Sequence, residues 1–109
     1  MSDPTSQIDF AYTLEITNQD KKQAAQLIQM FVDTIDNTNQ QLQQALDAND
    51  SAQLGEIAHK LLGGTCYCGV PLVRRATQAL QAALHNKTAH HALVASLIHA
   101  MTDVKEAHV

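Results

Sequence analysis

The sequence predicts an all-α fold: an antiparallel up-down four-helix bundle with a short extra N-terminal helix. Three observations lead there. Four segments repeat apolar residues at the three-to-four-residue spacing of an amphipathic helix. The connections between those segments are short, so consecutive helices must run antiparallel. The residue palette is helical as well. The 109 residues include only 4 Gly, 2 Pro and no Trp, and aromatic residues make up 4%. With apolar residues at 45%, the core must be built from Leu, Ile, Val, Ala and Met, which suits helices better than a sheet sandwich.

Residues 1–8 are polar, include a Pro, and read as a tail or linker ahead of a domain over residues 9–107. A short helix is expected over residues 9–16, with Phe10, Leu14 and Tyr12 covering one end of the core. A long helix follows over residues 20–48. Thr17 and Asp20 resemble a capping box at its start. Ala24, Leu27, Ile28, Phe31, Ile35, Leu42, Ala45 and Leu46 form its apolar stripe, and Asn49-Asp50 ends it.

The next helix starts near Ser51, with Asp50 as N-cap and Gln53 three residues on. Leu54, Ile57, Ala58 and Leu61 lie on its apolar side. Gly69-Val70-Pro71 reads as a stop and restart, with Gly past a helix end and Pro in the first turn of the next. Residues 71–85 form a third long helix with Leu72, Val73, Ala76, Leu80 and Leu84 inward. Asn86-Lys87 turns the chain. Thr88 is expected to cap a last helix reaching about residue 105, with Leu93, Leu97, Ile98, Met101 and Val104 inward.

The formal net charge is −4 and the densest basic spot is Arg74-Arg75, so the footprint needed for a nucleic-acid backbone is missing. No apolar stretch approaches the roughly 20 residues of a membrane span, and no signal peptide is visible. A cytoplasmic chain with no direct membrane contact is expected. Localisation at the cytoplasmic end of an inner-membrane protein is also compatible. Cys66 and Cys68 are then free thiols.

The chemistry concentrates in Ala58-His59-Lys60-Leu61-Leu62-Gly63-Gly64. On a helix with His59 at zero, Ile57, Leu61 and Leu54 fall at about 160°, 200° and 220°. His59 therefore points away from the core. Its own face holds Ala52 at about 20°, Gly63 at 40°, Gly55 at −40°, Glu56 at 60° and Leu62 at −60°. An exposed imidazole stands over a floor of Gly and Ala, which leaves room for a second protein to reach the ring. Glycines inside a helix cost on the order of 1 kcal/mol each relative to Ala, so the open floor needs a reason. Geometry alone leaves two readings. The ring is a nucleophile kept accessible, or it is an ordinary surface His beside glycines that mark a helix end.

The motif Ala58-His59-Lys60-Leu61 followed by Gly63, and then Tyr67-x-Gly69-Val70-Pro71, resembles the signature of histidine phosphotransfer domains. In that family a helical His is followed by an apolar residue at the second position, a basic residue at the third and Gly at the fourth. A second Gly opens the next helix. Ile8-Asp9-Phe10 is similar to the family's opening segment, so the resemblance runs over residues 8–107. It is closest to the C-terminal phosphotransfer domain of hybrid sensor kinases of the BarA/GacS type. One position departs: the usual basic residue three after the His is Leu62.

The resemblance implies a phosphoryl carrier in a multistep two-component phosphorelay, without a nucleotide site and therefore not itself an enzyme. His59 would take a phosphoryl group from the aspartate of one response-regulator receiver domain and pass it to another. The receiver would supply Mg²⁺, and the chain would need no cofactor of its own. Ala52, Gly55, Glu56, Lys60, Leu62 and Gly63 would form the dock and the phosphoryl environment, with Arg74 or Arg75 meeting the acidic rim of a receiver. The isolated domain is expected to be a monomer.

Two alternatives stand beside this reading. One is a helical interaction module without phosphotransfer, using the Gln-rich face at residues 40–44. The other is a metal-binding bundle using Cys66, Cys68, His85, His90 and His91. Against the latter, Cys-x-Cys is not a zinc-ribbon spacing, and the histidines cluster near a different turn.

Overall fold

A computed structural model describes residues 8–108. Within them the chain forms five helices: α1 (Phe10–Ile16), α2 (Lys21–Asp47), α3 (Ser51–Gly64), α4 (Pro71–His85) and α5 (His91–His108). Helices α2 to α5 pack in a closed cycle, each against its two neighbours, and α1 lies against α2. This is the expected antiparallel bundle. At 1.5 Å per residue α2 spans about 40 Å, close to the long dimension of the molecule, 42 Å. No helix is long and apolar enough to cross a membrane, among the described residues.

The core follows the predicted stripes. Ala24, Ile28, Phe31, Ile35, Leu42 and Ala45 are buried on α2, and Leu54, Ile57, Ala58 and Leu61 on α3. Val73 and Leu80 of α4 and Leu97, Met101 and Val104 of α5 complete it, joined by Val70, Val94 and Cys68. Leu72 of α4 is only half-buried, as are the expected inward residues Leu27, Leu46, Ala76, Leu84, Leu93 and Ile98. Asp50 caps α3 as expected, its carboxylate accepting from the Gln53 amide at 3.0 Å. Asn49 and Lys87 turn the chain at positive φ, 53° and 56°.

Four local expectations are corrected. Thr17 does not cap α2: its hydroxyl donates to carbonyls, that of Thr13 at 3.0 Å and that of Asp20 at 3.2 Å, instead of accepting from an α2 amide. Asn18 and Gln19 then turn at positive φ, so the helix starts later, with Asp20 as N-cap accepting from the Gln23 amide at 3.0 Å. Thr88 closes α4 rather than opening α5, since both its amide and its hydroxyl donate to the Ala83 carbonyl. α5 begins at His91 and runs to His108, beyond the expected end.

The third correction concerns α1. Phe10 and Tyr12 are exposed, at 40% and 37%, and Leu14 is half-buried; the fully buried residue is Thr13. The polar Thr13 is inside because its hydroxyl accepts from the Gly69 amide at 2.9 Å. Fourth, Gly69 is not a helix stop. α3 ends at Gly64 with Thr65 as C-cap. Gly69 is buried where α1 enters: the Asp9 amide donates to the Gly69 carbonyl at 2.6 Å, and a Cβ on Gly69 would overlap the Asp9 carbonyl. Ile8, just ahead, packs against the core. The rest of the expected tail, residues 1–7, lies outside the described residues.

Candidate functional site

His59 sits in the interior of α3, exposed, with Leu54, Ile57, Ala58 and Leu61 buried behind it. Ala52, Glu56, Lys60 and Gly63 are exposed on the same side. A Cβ added at Gly55, Gly63 or Gly64 would meet nothing within 4 Å. Gly55 and Gly63 therefore leave the floor beside the ring open; Gly64, at about 140° from His59, is off that face, and packing demands none of the three.

Leu62 is a correction. The sequence places it on the exposed side of α3; it is half-buried, as is Gly55, though outside the core cluster. The helical phase explains both. Ala58, at about −100° from His59, is 0% exposed, and Thr65, at about −120°, is 2% exposed. The buried arc thus leans to the negative side of His59. Leu62 and Gly55 stand on that shoulder, while Glu56 and Lys60 on the opposite shoulder stay in water. The negative shoulder faces α4: Arg74 Nη1 donates to the Thr65 hydroxyl at 3.3 Å and to Cys66 Sγ at 3.7 Å. Arg74 is thereby half-buried and committed to the α3–α4 connection, whereas Arg75 is exposed.

The positive shoulder opens on a groove of about 460 Å³ between α2 and α3, whose walls include Met30, Phe31, Ile57, Lys60, Tyr67 and Cys68. Met30 and Tyr67 are 64% and 62% exposed. Sequence reasoning missed this groove. Its signal was Met30, an apolar residue one step off the α2 stripe beside Phe31. Glu56 is exposed and makes no hydrogen bond to His59; it does not orient the ring in this structure.

The proposed metal ligands do not converge. Cys66 is exposed and Cys68 buried at the α3–α4 connection. His90 and His91 stack on each other at 5.4 Å at the α4–α5 connection, the opposite end of α4. Among the described residues no three His, Cys, Asp or Glu side chains are grouped to hold a metal ion. Burial also pushes the Cys68 thiol up to about 11.

Comparison with known proteins agrees with this arrangement. Residues 26–107 match the Hpt domain family. The sensor histidine kinase GacS of Pseudomonas protegens is 36% identical over 66 residues, which is 61% of this chain and 7% of that protein. The chain thus spans a small fraction of the length of that kinase. The crystal structure of the HPT domain from a sensor hybrid histidine kinase of Shewanella superposes with a TM-score of 0.85 at 30% identity, covering 94% of this chain and 90% of that one. The histidine-containing phosphotransfer protein HptB of Pseudomonas aeruginosa shares the fold, with a TM-score of 0.80 at 19% identity over 95% of this chain and 92% of that one. The chain belongs to the histidine phosphotransfer domain family, the all-helical carrier modules of two-component phosphorelays.

Proposed function

We propose that His59 is the phosphoryl-carrying residue, loaded from the aspartate of one receiver domain and discharged to the aspartate of another. The observation that carries this is the exposed imidazole in mid-helix over two glycines, Gly55 and Gly63, whose Cβ positions are empty. Nothing at Gly55 or Gly63 bars a partner's active site from the ring.

The step balances simply. A ring nitrogen lone pair attacks the phosphorus of an aspartyl phosphate, the N–P bond forms, the P–O bond breaks, the carboxylate leaves with its electron pair, and the proton on the other ring nitrogen passes to solvent. Phosphoryl transfer of this kind needs positioning and charge stabilisation more than covalent help from the carrier. Mg²⁺ belongs to the receiver in this reading, since the face of His59 offers Glu56 as its sole carboxylate. Ala52, Gly55, Gly63 and half-buried Leu62 form the dock.

Incubation with a phosphorylated receiver tests the proposal. The wild-type chain gains an acid-labile phosphoryl group at His59. His59→Gln stays folded, because an exposed ring contributes little to the core, and gains none. Label on His85 or His99 in that variant would overturn the assignment. An unlabelled wild-type chain that still binds receivers would favour the interaction-module reading.

A further inference from the structure

A phosphorylated His59 carries a group with about two negative charges, and the residue three positions on, one turn away beside the ring, is the apolar Leu62. The chain has 7 Lys and Arg residues, all within the described range. Lys21 and Lys22 open α2 ahead of Leu27, where the α2–α3 groove begins, and Lys87 lies in the turn after α4. Lys105 holds Asp36 through both carboxylate oxygens at 2.8 Å. Arg74 is committed to Thr65 and Cys66. Arg75 stands opposite the buried Val73, Thr77 and Leu80 of α4 and so points out from the bundle into solvent.

Lys60 remains. It is exposed on the positive shoulder beside His59, at the edge of the α2–α3 groove. Among the described residues it makes no ion pair, not even with Glu56 one turn earlier. The polar residues that α2 contributes to that groove, Thr34, Thr38 and Gln41, are uncharged. We infer that Lys60 is the counter-charge of the phosphoryl group on His59, a positioning residue and the one cation of α3. Neighbouring helical positions diverge, so the two side chains do not touch along their length. The flexible four-carbon stem lets the ammonium swing to phosphoryl oxygens standing beyond the ring.

The consequence is on lifetime. Hydrolysis breaks the N–P bond, joins a water oxygen to phosphorus, and returns the electron pair and a water proton to the ring nitrogen. In a loose, metaphosphate-like transition state the phosphoryl group has partly lost its dianionic character. A cation that holds the dianion more tightly than that transition state slows the loss.

The inference rests on His59 being the phosphoryl site, so the test loads the full chain directly with phosphoramidate, independently of any receiver. Decay of the phosphohistidine is followed by ³¹P NMR for wild type, Lys60→Gln, Lys60→Arg and the double variant Lys60→Gln/Leu62→Lys. Lys60→Gln should lose its phosphoryl group about threefold faster at low salt, the scale of one exposed charge interaction. The difference should fade near 1 M salt, where screening acts within about 3 Å. Lys60→Arg should decay like wild type, and the double variant should recover. Equal decay of wild type and Lys60→Gln at low salt, a salt-independent difference, or an Arg variant as short-lived as Gln would overturn the role of Lys60 while leaving the carrier reading intact. Failure of wild-type His59 to take any phosphoryl group from either phosphoramidate or a receiver would remove both.

Discussion

The carbonyl of Asp9 occupies the space where Gly69 would carry a side chain, and the Asp9 amide donates to the Gly69 carbonyl at 2.6 Å. Two segments sixty residues apart meet backbone to backbone. The Thr13 hydroxyl adds a third tie by accepting from the Gly69 amide at 2.9 Å. Tyr12 contributes a fourth, its hydroxyl donating to the Cys66 carbonyl at 3.1 Å.

Gly69→Ala should therefore be the most damaging glycine substitution in the chain. Gly69 does not have positive φ, so the methyl is excluded by contact and not by backbone strain. Backbone cannot rotate aside as a side chain can, and overpacking of this kind costs about 1 to 3 kcal/mol. Urea denaturation should report a loss in that range, together with faster amide exchange in α1. A midpoint unchanged from wild type would show that α1 is not seated on Gly69.

Gly63 predicts the opposite sign. Its added Cβ meets nothing, and Ala in a helix is favoured over Gly by up to about 1 kcal/mol. Gly63→Ala should raise the melting temperature. Gly63→Arg should melt close to wild type yet transfer at least tenfold more slowly, because its side chain rises one turn from His59 on the same face. Native transfer by Gly63→Arg would mean that receivers approach from elsewhere.

Cys68 sets a pH dependence. It is 2% exposed, and burial pushes its thiol from 9.0 to about 11. The unfolded chain releases this proton near pH 9, while the folded chain keeps it until about pH 11. Between those values the unfolded state binds fewer protons, so stability falls as pH rises, and below that window this group is silent. Two pH units correspond to about 2 to 3 kcal/mol. The difference in unfolding free energy between wild type and Cys68→Ala, taken at pH 8 and pH 11, isolates the effect, because the tyrosines ionise in both chains. A difference that does not move with pH would place Cys68 in water.

The four long helices were legible because their apolar stripes are long and regular, and Asp50 with Gln53 marks a helix start unambiguously. The exposure of His59 was legible for the same reason: it stands opposite Ile57 and Leu61. What escaped depended on contacts between distant segments. Thr13 is polar by composition and buried only because Gly69 donates to it. Gly69 looks like a helix stop locally, and its reason for being Gly is Asp9. Thr88 has the chemistry of an N-cap but is captured by Ala83. The lean of the α3 buried arc was hidden because it is carried by Ala58, whose small side chain weighs little in any apolar pattern yet is 0% exposed.

That lean decides the behaviour of Leu62. A fully exposed Leu would leave stability untouched when truncated, and a core Leu would cost about 2 to 5 kcal/mol. Leu62 is half-buried on the α4 shoulder and is not a member of the central core cluster. Leu62→Ala should therefore destabilise the fold by about 1 kcal/mol, well below the core range. The remaining half faces the ring side of α3, where a docked receiver would cover it. Truncation of a contributing interface side chain typically weakens binding by about 1 kcal/mol. Both losses are measurable on one variant, by thermal or urea unfolding and by titration with a receiver domain. Loss of stability with unchanged affinity would make Leu62 a structural residue of the α3–α4 seam and move the dock toward Gly63 and Lys60. Loss of affinity with unchanged stability would mean that its buried half contributes nothing to the fold. If both fall together, one side chain serves the bundle and the dock at once, and a cation at this position would have to give up part of that apolar contact.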